Sequence, residues 1–240
     1  MRYAGKNGRK LHITCQVVYA GENMKRSQPK LAFDLTGGNL CLNFANTLDK
    51  RLSSQPEDKL GGYDAFVAFG QQTGALSPSE ARKLRQEGSR DKGEAARVFL
   101  RAVGVRELIF RTMSAVAAGR KVSEADTVAL NAEVQKLNAR SRISPMHGQN
   151  TWKWAEKEDG AGRLVARIVR SAVEILTSND IERVKKCASE KCCWLFLDRS
   201  RSRNRRWCEM RTCGSQQKAR AYYRRKTASR QREKALARPR

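Results

Sequence analysis

The sequence predicts a mainly α chain with a small β-hairpin (α+β), in which a helical N-terminal domain is followed by a small metal-held finger and a long basic C-terminal helix. Three observations predict it. Apolar residues recur at helical spacing through residues 31–182, five of the seven cysteines fall within 187–213, and the run after Gly214 contains no helix breaker until close to the C-terminus.

Each element has a local reason. Gly37-Gly38-Asn39 precedes Leu40, Phe44 and Leu48, whose four-residue spacing suits one buried helix face, and Cys41 fits that face. Tyr63, Phe66 and Val67 mark a second, short helix that stops near Gly70 or Gly74. Ser77-Pro78-Ser79-Glu80 starts a third: a hydroxyl cap, a proline in the first turn, and a glutamate that returns a hydrogen bond. A longer helix runs through Ala95, Val98, Phe99, Ala102, Leu108, Ile109, Met113 and Val116, and Gly119 is placed to end it. Ser123 with Asp126 opens the next, through Val128, Leu130, Val134 and Leu137. Pro145-Met146-His147-Gly148 breaks the helical pattern, and Trp152 and Trp154 at strand spacing make 141–156 a hairpin. Leu164, Ile168, Ala172, Ile175 and Leu176 mark the last helix of the body.

Charge is placed unevenly along the 240 residues. Lys and Arg total 49 against 24 acids, a net charge of +25. Residues 1–30 carry +6, residues 31–182 only +3, and residues 183–240 carry 20 basic and four acidic side chains, a net +16. A basic quarter after a near-neutral body attracts polyanions, chiefly nucleic acid; a tail that merely solubilises is the plain alternative. Arginines such as Arg163, Arg167 and Arg170 interrupt every long apolar stretch, so no transmembrane segment is expected. Leu11–Ala20 is too polar for an export core, given His12, Thr14, Cys15 and Gln16. The chain is therefore read as cytoplasmic, with residues 1–30 a disordered basic extension and Met24 an alternative start. His12 and His147 sit in no catalytic spacing, and no glycine-rich phosphate loop is present, so an enzyme is not expected.

The cysteine cluster carries the most specific chemistry. Cys187 and Cys192 are separated by four residues, as are Cys208 and Cys213, with fifteen residues between the pairs. Each short loop turns two thiolates toward one point, and two such knuckles make a tetrahedral sulfur shell for one Zn2+ per chain. The module has few apolar residues, so the metal supplies much of its folding energy. Cys193 competes with Cys192; Cys192 is preferred because it gives two matching spacings. Buried free thiols, a redox pair or disulfides are the alternatives to zinc. Between the pairs, Trp194–Asp198 reads as a strand, and Arg199, Arg201, Arg203, Arg205 and Arg206 follow. After Gly214 a long helix runs from Gln216 to about Ala237, carrying Gln217, Lys218, Arg220, Arg224 and Arg225. A zinc site that holds loop and helix together would make one basic surface for DNA.

The segment Cys187-x4-Cys192-x-Trp194-x-Phe196-x-Asp198-x-Ser200, with Arg206-Trp207-Cys208-x-Met210-x2-Cys213-Gly214, resembles the CGNR zinc finger family over residues 183–226. Gly38-Asn39-Leu40-Cys41-Leu42-Asn43-Phe44-Ala45-Asn46-Thr47-Leu48, followed by Arg51, resembles the opening of the ABATE domain that usually precedes that finger. The resemblance implies a bacterial, stress-induced transcription regulator with a DNA-binding finger. It divides the chain into a 1–30 extension, an ABATE-like helical domain at 31–180, the zinc-stabilised finger at 183–226 and a basic tail at 227–240. The family's name-giving Cys-Gly-Asn-Arg is here Cys213-Gly214-Ser215-Gln216, so an Asn and an Arg are missing, with Gln217, Lys218 and Arg220 nearby to compensate. Asn43, Asn46, Thr47 and Arg51 are candidates for a small-molecule pocket, or for buried polar groups that tie the first helix to its surroundings. A zinc-containing module that binds protein or RNA is the alternative function. The sequence does not set the oligomeric state.

Overall fold

The computed structural model describes residues 33–139, 141–146, 149–154 and 160–236, with the side chains of 141–160 and 231–236 outside the description. The readings of residues 1–30, of His147, of the Trp152 and Trp154 side chains and of 237–240 lie outside the described residues. The described chain is mostly helical, with three two-stranded antiparallel pairs. Among the described residues no helix is long and apolar enough to cross a membrane.

Helix α1 (Leu40–Ala45) is started by Asn39, whose side chain accepts from the Cys41 N–H, and it buries Cys41, Leu42, Phe44 and Ala45. Leu48 does not lie on this helix, contrary to the expectation from its four-residue spacing. The chain turns after Asn46, and Leu48 begins β1 (Leu48–Asp49), which pairs with β2 (Glu57–Asp58). The chain leaves the helix where Asn46 engages a partner far along the chain, described below.

Helix α2 (Tyr63–Gln72) runs past Gly70, where a Cβ would meet Leu164 and Leu76, and stops before Gly74 at a φ of +73°. Helix α3 (Pro78–Arg90) opens on a complete capping box between Ser77 and Glu80. Helix α4 (Lys92–Ala117) is capped by Asp91, and Gly119 follows its end with φ +62°. At 1.5 Å per residue α4 spans about 39 Å, and α1, α2, α3, α5 and α6 all pack against it. In α5 (Glu124–Ala139) only Leu137 is buried, while Val128 is exposed, so the apolar stripe assigned there from sequence is mostly half-covered. The hairpin of β3 (Ser141–Met146) and β4 (Gln149–Trp154) pairs Ser141 with Trp154 and Met146 with Gln149. Helix α6 (Gly160–Leu176) closes the body and buries Leu164, Val165, Ile168, Val169, Ala172 and Ile175.

The core centres on Phe44, Phe66 and Phe69, with ring centroids 5.3 and 5.7 Å from Phe44 to its two neighbours. The strands of the C-terminal module join it. β5 (Val184–Lys186) pairs with β6 (Leu195–Leu197), and Val184, Leu195 and Leu197 belong to the same apolar cluster as the helices. A π-helical turn, Met210–Gly214, then leads directly into α7 (Ser215–Leu236).

Candidate metal centre and the surfaces around it

Two short loops bring four sulfurs together. The first knuckle is the connection of the β5–β6 hairpin: the Cys187 N–H donates to the Trp194 carbonyl at 2.8 Å, and the Cys192 N–H to Ser189 at 3.0 Å. The second knuckle runs from Cys208 into the π-helical turn, which ends with the Gly214 N–H donating to Glu209. The Ala188 N–H reaches the Arg206 carbonyl at 2.8 Å and so ties the two knuckles. As a result the Sγ atoms of Cys187, Cys192, Cys208 and Cys213 all lie within 4.8 Å of one another. The Cys192 and Cys208 sulfurs stand 3.6 Å apart, and those of Cys208 and Cys213 3.7 Å. A tetrahedral tetrathiolate with zinc–sulfur bonds near 2.3 Å requires sulfurs about 3.8 Å apart.

Electrostatics agrees with the distances. Hydrogen bonds from the Cys192 and Cys208 thiols pull Cys187 far below its ordinary value, whereas the same bonds push Cys192 and Cys208 up. Four thiolates at van der Waals contact repel one another, and a divalent ion between them offsets that repulsion. Zinc suits the set, since it accepts four sulfur ligands and has no redox chemistry of its own. Cys193 stays outside the cluster because its backbone adopts φ +82°, and burial pushes its thiol up. The other described cysteine, Cys41, is buried in α1 with its thiol pushed up to about 12 by burial.

Residues 38–179, more than half of the chain, match the family model ABATE, described as "Putative stress-induced transcription regulator". The chain belongs to the ABATE family. Residues 183–226 match the CGNR zinc finger, in the expected order after the ABATE domain. Both families are of the regulator or zinc-finger type rather than enzymatic. Among curated proteins none matches the chain. The four cysteines of the CGNR finger are those gathered here, which fits one Zn2+ per chain. Of the two residues that replace the name-giving Asn and Arg, Ser215 donates to the Met210 carbonyl, capping the π-helical turn, and Gln216 is exposed.

The polar residues of the ABATE opening join the two matched segments. Asn46 donates from Nδ2 to the Leu195 carbonyl at 2.8 Å and accepts from the Leu195 N–H at 2.9 Å, so its amide pairs with β6 as a neighbouring strand would. The Leu197 N–H donates to the Gly37 carbonyl, and the Trp194 indole N–H to Asp49. Thr47 donates to Phe44 and faces Arg106, which holds Asp58 through two hydrogen bonds of 2.7 and 2.9 Å. Arg51 pairs with Glu107 at 2.5 Å and lies over the Phe110 ring. Asn43 is buried with Oδ1 unpaired. Replacing Asn46 with Leu leaves both polar groups of Leu195 buried without partners, at about 1–3 kcal/mol for each. The expected result is a stability loss of roughly 2–6 kcal/mol, read as a lower denaturant midpoint, and an unchanged midpoint would show that β6 does not depend on this clamp.

The basic residues divide into two groups. Arg199, Arg201, Arg203 and Arg206 are exposed, and so are Lys218, Arg224 and Arg225, with Arg220 half-buried. Arg205 instead packs over Phe196 at 4.7 Å and donates to the Cys208 carbonyl. Gln217 donates to Ser189 at 3.2 Å, tying α7 to the first knuckle. What sets the arginine loop is Asp198, which the sequence marks only as part of the CGNR-like segment. Its fully buried carboxylate accepts from the Ser200 N–H and Oγ, the Arg205 N–H and Lys185 Nζ. The legible signal was an Asp placed directly before a Ser- and Arg-rich loop, a pattern that favours side-chain-to-backbone turns.

Proposed function

We propose that the chain is a cytoplasmic DNA-binding transcription regulator whose zinc-held finger presents the arginine loop and α7 to duplex DNA. The observation that carries this reading is the distribution of charge on α7. Lys218, Arg220, Arg224, Arg225, Lys226 and Arg230 occur around its whole circumference at 3.6 residues per turn, with no apolar stripe. A helix that lies on a membrane or on a protein needs one apolar face. A helix cationic on all sides fits between two phosphate backbones, and its diameter of about 10–12 Å matches a major groove about 12 Å wide. Arg199, Arg201, Arg203 and Arg206 then grip the flanking phosphates, while Lys218, Arg220 and Arg224 near the base of α7 reach base edges; Arg205 and Gln217 act by holding loop and helix in place.

The exposed, edge-to-face pair Tyr222 and Tyr223 favours a second reading, in which the same surface stacks on single-stranded RNA. Selection from a random duplex pool, followed by titration of duplex and single strands, separates the two. Five or six phosphate contacts give a log–log salt slope of about −5. The expected result is enrichment of a duplex sequence whose preference changes in Lys218→Ala, while Arg203→Ala weakens all sequences alike. No enrichment, with tighter binding to single strands, would favour the RNA reading.

A further inference from the structure

The face of the sulfur cluster is not sealed. A cleft of about 720 Å³ opens onto it, with Asp49, Leu52 and Ser53 of the ABATE segment on one wall and Cys192, Cys208 and Cys213 on the other. Cys187 does not line the cleft, and Cys213 is the least buried of the four. Cys213 also sits in the π-helical turn on which α7 is built. We propose that this cleft is the entry route for small two-electron oxidants such as hydrogen peroxide, and that Cys213 and Cys208 form an oxidative modification site that releases the metal.

The chemistry balances within two thiolates and one peroxide. The Cys213 thiolate attacks one peroxide oxygen, the O–O bond breaks, and a sulfenic acid forms with departure of hydroxide. The Cys208 thiolate, 3.7 Å away, attacks that sulfur, forming the S–S bond and expelling a second hydroxide. The two hydroxides take two protons from solvent and leave as water. The two sulfurs are oxidised and both peroxide oxygens reduced. The ion loses two of its four ligands and passes to solvent. The disulfide needs the sulfurs to close to about 2.05 Å, which pulls on the turn beneath α7. The proposal rests on the zinc site and stands whether or not the chain binds DNA.

The test uses the zinc-loaded full-length chain and a molar excess of hydrogen peroxide, with a chromogenic chelator to report free zinc and peptide mass spectrometry to locate disulfides. The expected result is release of one zinc per chain with loss of two thiols, and a Cys208–Cys213 bridge as the first product. Ser53→Trp narrows the cleft away from the sulfurs and is expected to slow release several-fold with unchanged zinc content. Retention of zinc with its thiols intact would overturn the proposal. So would a first disulfide that includes Cys187 or Cys193, or a Ser53→Trp chain that loses zinc at the original rate.

Discussion

Serine in place of Cys208 is expected to abolish zinc retention and to cost more stability than any other single change in the chain. Cys208 is the sulfur that stands 3.6 Å from Cys192 and 3.7 Å from Cys213, so its loss opens the centre of the cluster. Structural zinc contributes about 10–16 kcal/mol of apparent binding energy to small folds at neutral pH, and the second cluster of buried residues contains little besides Cys187, Cys192, Phe196 and Cys208 to replace it. The damage should follow the packing rather than the boundary of the finger. Leu195 and Leu197 belong to the main core and are held by Asn46 and Gly37. Hydrogen exchange should therefore show lost protection in both knuckles and at the base of α7, partial retention in β6, and a lowered thermal midpoint for the helices. Full protection of the knuckles in metal-free protein would contradict the role assigned to zinc.

Asp198→Ala should be the second most damaging change. Burial pushes the Asp198 carboxyl up, but hydrogen bonds from Lys185, Ser200 and the Arg205 backbone outweigh it and hold the group well below the usual carboxylate range. Truncation leaves Lys185 without its carboxylate and unties the loop, and breaking one partner of a buried pair costs about 3–5 kcal/mol. The variant keeps every arginine, yet its affinity for DNA should fall, because the loop no longer presents them in one arrangement. The pH dependence has a definite sign. Because the folded carboxyl is depressed, its contribution is present above its unfolded value of about 3.9 and is lost as pH falls below it. An acid titration of Asp198→Asn should lack this component; superimposable stability profiles for the two chains would contradict the assignment.

The sequence made some of this legible and not the rest, for physical reasons. Contacts within one turn of chain are written locally: the Ser77–Glu80 capping box and the Gly119 stop need no knowledge of the fold. Equal spacing within each cysteine pair exposed the metal centre, because a tetrahedral ion fixes the loop that can surround it. The exclusion of Cys193 also followed from spacing, although its physical basis is a left-handed backbone at that residue. The Asn46 clamp spans 149 residues and leaves no periodic trace, so Asn46 could be marked as polar and unusual but not assigned a partner. The two-residue β1–β2 pair and the cleft beside the sulfurs arise only when distant segments meet. Gln217 and Arg205 show the converse. Residue type and position suggested contact with nucleic acid, whereas Ser189, Phe196 and the Cys208 carbonyl engage them internally.

Equilibrium binding of the selected duplex before chelation, after zinc removal, and after zinc is restored tests the central claim most directly. If the metal holds the arginine loop and α7 as one surface, specific affinity falls at least tenfold on removal and returns with stoichiometric zinc, while the weak affinity for random duplex and heparin persists. Specific binding that is undiminished in metal-free protein would contradict the account.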